Sequence, residues 1–320
     1  MSDKPIKIDL KKIEKKLRAK KLDARIEALK EVQNAKAKSA STMLTEVLEE
    51  TLDPGEWEFK EELLTTLGVL EVKETVPFII PYLQDKNGMV RESAAYALGM
   101  IGDKSAVSNL IATLDDKEYN VREMAANSLA KIGDPRCIDP LLKKAKSSVM
   151  EDRLSVIPVL VEFGDNEKTI QALVDALEDE ETQVRFPAII AFNKIKNPLS
   201  VEGLIKNLES EDPLLQKVAA DALVFNLGWG SIKEGKLTRF GKRRRKILAE
   251  ELEAQGRQGE FREPELLIDN FDHLENRLIS ILSLTPKQSF RLELYIGELA
   301  KRYDIVKKEE PEEETPSTES

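Results

Sequence analysis

The sequence is poor in the residues that carry most enzyme chemistry. It has one cysteine, Cys137, so an intramolecular disulfide is excluded. It has one histidine, His273, which excludes a Cys/His zinc cluster and leaves a single candidate for any histidine-dependent nucleophile. Aromatics make up only 5%. No stretch reaches 18 consecutive apolar residues, so no membrane span is expected. The start, MSDKPIKIDLKK, lacks an apolar segment after its lysines, and the expected location is therefore the cytosol. No alternation of β-branched and polar residues points to a sheet. The only glycine-rich stretch near lysine, GWGSIKEGK, lacks the spacing of a phosphate-binding loop.

What is present is helix-forming and charged. Charged residues reach 34% and hydrophobic ones 41% of 320 residues, with a formal net charge of −10. That is enough apolar material for an extended core, and the negative balance argues against a protein that coats nucleic acid throughout.

The chain repeats itself. VRESAAYALGMIGD at 90–103 returns as VREMAANSLAKIGD at 121–134. Related segments open at Lys60, Arg153, Arg185 and Gln216, with a faint copy at Arg25. Ala94, Ala97, Leu98 and Ile101, then Ala125, Leu129 and Ile132, recur at steps of three and four, one face of a helix. Gly102, Gly133 and Gly164 stand where a helix C-terminus favours positive φ, and Asp103, Asp134 and Asp165 suit the N-cap of a second helix. The second helix recurs too, at 75–83, 106–114, 137–145, 169–177 and 201–208, each apolar at i, i+3, i+4 and i+7. One helix pair is too small to bury its own apolar face, so neighbouring pairs must stack.

This pattern resembles HEAT repeats of the short type named after the phycocyanobilin lyases, over roughly residues 22–228. The resemblance implies an all-α fold, a right-handed α-solenoid of about seven HEAT-like helical pairs with a C-terminal helical extension. It specifies chemistry poorly. A bilin-lyase activity is what the family name implies, but the sequence shows no constellation for a tetrapyrrole. HEAT-like deoxyhypusine hydroxylases hold iron with several His-Glu pairs, a ligand set one histidine cannot supply. HEAT-like DNA glycosylases use a basic concave face. Here the second helices, the expected concave lining, mix Lys143, Lys144 and Lys206 with Asp139, Asp175 and Glu202.

A charge row accompanies the repeat. Asp85 precedes Arg91 by six residues, as Asp116 precedes Arg122 and Asp179 precedes Arg185; before Arg153 and Gln216 the position is Ser147 and Ser210. The row reads as a structural ladder tying loops to helices of neighbouring units, in preference to a row of arginines awaiting an anion. Cys137 aligns with Ala106 and is expected in the core. Pro158 falls inside a first helix and predicts a kink; Pro187 is placed near a helix start.

Five segments follow. Residues 1–21 form a basic amphipathic helix or cap, with Ile6, Leu10, Ile13 and Leu17 at helical spacing. Residues 22–228 form the repeats. Residues 229–262 are a basic linker and helix, 263–304 a C-terminal helical hairpin carrying His273, and 305–320 an acidic tail without an apolar face, expected to be disordered. Within the linker, 236–246 reads KLTRFGKRRRK, seven basic residues and no acid. Arg239, Lys242, Arg243, Arg244, Arg245 and Lys246 are the candidate anion or partner contacts. Phe240 alone makes no stacking platform for bases.

The reading is a non-catalytic scaffold that binds a protein partner through its surface, with no cofactor and no metal. Nucleic-acid binding through 236–246 is the alternative, and a lyase-like activity a lesser one.

Overall fold

The computed structural model describes residues 8–50, 55–164 and 166–227, with the backbone of 232–233 and 236–237. The chain divides into two compact units, residues 1–172 and 173–320. The fold is all-α and of the helical-repeat type; the only sheet among the described residues is a two-residue antiparallel ladder, Ile232 opposite Leu237 and Lys233 opposite Lys236.

The first unit opens with α1 (Leu10–Leu17), whose N-cap Asp9 accepts from the amides of Lys11 and Lys12. Ile13 and Leu17 are buried against α2 (Leu22–Ala35), whereas Leu10 is exposed, so two of the three described apolar positions serve the contact; Ile6 lies outside the described residues. Lys16, on the same helix, pairs with Glu27 and Glu31 of α2.

First helices then alternate with second helices. The first helices are α2, α4 (Trp57–Leu70), α6 (Gly88–Ile101) and α8 (Tyr119–Ile132), and successive ones pack on each other. The second helices are shorter: α3 (Ser41–Glu49), α5 (Val76–Ile79), α7 (Val107–Thr113) and α9 (Ile138–Ala145). Each is preceded by a single 3-10 turn. Asp103 and Asp134 cap those turns by accepting from the amides of Ser105 and Arg136, at 2.8 and 3.0 Å. Leu98 and Leu129 are fully buried, as are Leu63, Leu67, Leu110 and Leu141, so the apolar stripe of each helix feeds one continuous core.

Close packing between first helices depends on small residues. A Cβ on Gly99 would stand 2.8 Å from the Cα of Ser128, whose hydroxyl donates to the Ala95 carbonyl at 2.8 Å. Only glycine lets α6 and α8 approach this closely. Gly68 sits 31 residues earlier in the same relation to Ala97, where a Cβ would also meet a Cα at 2.8 Å.

Helix ends follow the sequence in part. Gly102 and Gly133 adopt φ of 71° and 66° at the C-caps of α6 and α8. Glu71 takes the same left-handed conformation, φ 52°, at the equivalent end of α4, at a steric cost that glycine lacks. Gly164 does not: its φ is −62°. The reason is Pro158. The fifth first helix, α10 (Met150–Val156), stops two residues before the proline, and 157–163 continue as 3-10 helix. Without an N–H and with its ring against the preceding turn, Pro158 ends the α-helix outright; the expected kink is a change of helix type. The segment therefore ends without the left-handed cap.

α11 (Glu167–Ala176) starts beyond Asp165, which lies outside the described residues. Asn166 supplies its cap, accepting from the amides of Lys168 and Thr169.

In the second unit, α12 (Thr182–Phe192) and α14 (Pro213–Leu227) are first helices and pack together, with α13 (Val201–Asn207) between them in sequence. Pro187 lies inside α12, at its sixth residue, and not near its start. Two buried asparagines bind turns together. Asn226 donates to the carbonyls of Phe192 and Ala222 and accepts from the Asn197 amide; Asn207 donates to those of Leu177 and Gly203.

The basic block 236–246, beyond the backbone of its first two residues, the hairpin 263–304 with His273, and the tail 305–320 lie outside the described residues.

Candidate functional site

The charge row has a defined geometry. Arg91 donates through Nη1 to the Asp85 carbonyl at 3.0 Å, six residues back. Its Nε and Nη2 reach forward to both carboxylate oxygens of Asp116, at 2.7 and 2.8 Å, and Nη2 also meets Glu118 at 3.1 Å. The carboxylate of Asp85 belongs instead to Lys60, at 3.3 Å. Asp85 and Asp116 thus each offer the carbonyl to their own unit's cation and the carboxylate to the preceding unit's. The carbonyl bond recurs: Arg122 to Asp116, Arg153 to Ser147, Arg185 to Asp179 and Gln216 to Ser210, at 2.9, 2.9, 2.8 and 2.6 Å.

The carboxylate bond changes where Ser147 replaces aspartate. Asp152, five residues later, turns back to fill the place. It comes within 3.2 Å of Arg122 Nε as an ion pair, without the alignment of a hydrogen bond. It also accepts from Lys144 at 3.1 Å and from the Ser147 hydroxyl at 2.9 Å. At the first copy, Arg25 pairs with Glu56 at 2.9 Å and lies over the Phe59 ring at 3.6 Å.

Burial opposes ionisation of Asp116, yet the hydrogen bonds from Arg91 and the Glu118 amide outweigh it and hold the carboxyl below its usual range. Asp152 is the same case: burial raises it, Lys144 and Ser147 lower it further, and the net direction is down. Asp134 is held down to about 2 by Arg136. Cys137 is fully buried, and burial pushes its thiol up to about 11, the opposite of what a nucleophile or metal ligand requires.

The outward side of the second helices has its own register. Pro77, Pro81 and Gln84 are exposed; so are Ser108, Ala112 and Asp115, then Asp139, Lys143 and Lys146, each set displaced by 31 residues from the last. In the second unit Glu202 and Lys206 of α13, and Glu209 just beyond it, occupy the matching positions and are likewise exposed. Between them lie the buried positions Ile79, Leu110 and Leu141. Buried residues of the second helices are mostly aliphatic, with polar exceptions such as Thr45, Thr113 and Asn207, while the exposed triplets differ from unit to unit in charge and shape. The sequence reading names part of this strip, Asp139, Lys143, Glu202 and Lys206, as lining of the second helices, but not its register through Pro77, Pro81, Ser108 and Ala112, which the 31-residue spacing carries.

Depressions in the described surface are shallow. One of 290 Å3 is lined by Glu49, Pro77, Phe78, Pro81, Tyr82 and Asp85. A second, of 250 Å3, shares Asp85 and has Arg91, Asp116, Lys86 and Lys117 around it. Among the described residues no group of His, Cys, Asp or Glu is arranged to hold a metal ion, and no helix is long and apolar enough to cross a membrane. Arg239, Lys242, Arg243, Arg244, Arg245 and Lys246 lie outside the described residues.

Comparison with solved structures finds helical-repeat proteins. The CpcE–CpcF complex of phycocyanin lyase from Nostoc is 20% identical, over 73% of this chain and 92% of that one, with a TM-score of 0.45. YibA of E. coli is 19% identical, over 68% and 82%, with a TM-score of 0.48. Human deoxyhypusine hydroxylase is 20% identical, over 68% and 85%, with a TM-score of 0.35. A search of curated proteins gives no match. The family model for HEAT repeats matches residues 42–119, 94–157 and 138–224, more than half of the sequence. With stacked helix pairs at that same period in the structure, the chain belongs to the HEAT-repeat family.

Proposed function

We propose that the protein is a non-catalytic scaffold that holds a protein partner along the exposed strip of its second helices. The observation that carries this reading is the strip itself: fixed positions, a mostly aliphatic core beneath, and side chains that vary from unit to unit. Such a surface offers an extended partner a different chemical contact at each step. The arginine row belongs to the scaffold in this reading, since Arg91 spends its donors on loop carbonyls, Asp116 and Glu118. Affinity capture from native lysate, with and without nuclease, tests it. A protein retained at equal yield after nuclease treatment supports the scaffold; a partner lost on nuclease treatment sinks it.

A second reading rests on charge alone. The block 236–246 carries seven basic residues and no acid in a chain of net charge −10, which suits phosphate. It predicts binding to RNA or DNA that weakens steeply with salt and with charge reversal at Arg243–Arg245.

A further inference from the structure

We infer that the recess between α3 and the 76–84 segment receives a lysine or arginine side chain from a basic segment of the protein partner. This inference rests on the scaffold reading and names the partner's chemistry at one point of the strip. The recess is built by two prolines and two aromatics. Pro77 and Pro81 lie one turn apart, as do Phe78 and Tyr82, and the prolines fix the backbone that carries the rings. The Tyr82 hydroxyl donates to the Leu48 carbonyl at 2.5 Å, so that ring is held in place before anything binds. Phe78 is half-buried and offers the rest of the wall.

Two carboxylates close the rim. Glu49 stands at the end of α3, exposed, and Asp85 follows the 3-10 turn. Lys60 neutralises Asp85; Glu49 has no cation against it among the described residues. The recess therefore keeps a net negative charge beside two aromatic side chains. Burial first, then Asp85 and Glu49, push the Tyr82 phenol up, as expected where both carboxylates act on the ring's surroundings. Aromatic faces attract cations through the ring quadrupole, and a nearby carboxylate adds to that attraction. An anion would meet repulsion, and an aliphatic group would draw nothing from the charge of Glu49. The volume, 290 Å3, is at the low end for ligand pockets, which run from about 300 to 1,000 Å3. It fits one side chain better than a cofactor. Pro77 and Pro81 belong to the exposed strip, so a segment lying along the second helices passes over the recess.

The test is a titration of the full-length protein with a fluorescein-labelled tetra-arginine peptide at fixed, near-physiological salt, read by anisotropy. Phe78→Ser and Glu49→Gln are each expected to weaken binding about two- to fivefold, the range a single exposed cation–π or ion contact supplies. Glu151→Gln, an exposed acid on α10, is expected to leave it unchanged. No binding, equal binding by the recess variants, or an equal loss in Glu151→Gln overturns the inference. Should Phe78→Ser melt early, Pro81→Lys at an exposed position places a cation on the rim and is expected to weaken binding by a similar factor. The scaffold reading fails separately. If lysate capture retains a protein that the Phe78→Ser/Glu49→Gln variant holds equally well, the scaffold stands and the recess falls. If capture yields no protein, the scaffold falls, and the titration still decides the recess.

Discussion

Arg91 and Asp116, 25 residues apart, form a two-point ion pair in which Nε meets Oδ2 at 2.7 Å and Nη2 meets Oδ1 at 2.8 Å. Both side chains are largely withdrawn from water, 6% and 11% exposed. Removing one partner leaves the other charge buried and unpaired. Asp116→Ala is expected to cost about 3–5 kcal/mol in urea denaturation. Asp115→Ala, one residue away and facing solvent, is expected to cost less than about 1 kcal/mol. Equal effects would show that the pair is ornamental.

The neighbouring unit offers a repair experiment. Asp152 fills the place that Ser147 leaves empty beside Arg122. Asp152→Ala should lower the melting temperature. Adding Ser147→Asp in that background should restore at least about half of the loss, because it returns the carboxylate to the position it holds at Asp85 and Asp116. If the double variant melts no higher than the single one, the loop positions are not equivalent.

Core register is tested at Leu98 and Leu129, both fully buried. Each change to alanine is expected to cost about 2–5 kcal/mol. Conversely, Glu71→Gly is expected to raise stability by up to about 1 kcal/mol, since it places glycine in a left-handed C-cap that Gly102 and Gly133 fill elsewhere. A silent leucine substitution, or a destabilising glycine, would contradict the helix-pair assignment.

Stability should vary with pH in two opposed steps. Glu61 and Glu92 are raised above 4.5, by burial first and then by neighbouring glutamates. A raised carboxyl opposes folding when ionised. Acidifying from neutral pH through the folded pKa values of these two groups should therefore increase stability slightly, until about 4.5 is reached. Asp103, Asp116, Asp134 and Asp152 are lowered below 3.8, Asp134 to about 2. Their contribution is present above 3.8 and is lost as pH falls from there through their folded values. Thermal melts from pH 7 to 2 should show the rise and then the fall. Glu61→Gln with Glu92→Gln should remove the rise and keep the fall.

Much of the first-helix register was legible because one residue pattern recurs at a constant period, and period survives even where identity fades, as at Arg25 and Gln216. Other features were not legible. Pro158 stands where a kinked α-helix and a 3-10 helix fit the same sequence, and only packing chooses. Asp152 stands where the other units have a buried valine, Val90, Val121 and Val184, so alignment shows a departure but not the arginine it serves. The aspartates at 85 and 116 were visible as a row, but whether each gives its carbonyl or its carboxylate to a given arginine depends on how units stack. Gly68 and Gly99 were visible at 31-residue spacing; reading them as contact points required the distance between helices.

The most direct measurement is partner capture by a strip variant, Ala112→Arg with Lys143→Glu, beside an Arg243–Arg245 charge-reversal variant and the wild type. Both strip positions are exposed, so the melting temperature should hold. The scaffold account predicts that the strip variant loses the partner while the charge-reversal variant keeps it. Retention by the strip variant, with loss on charge reversal, would contradict it.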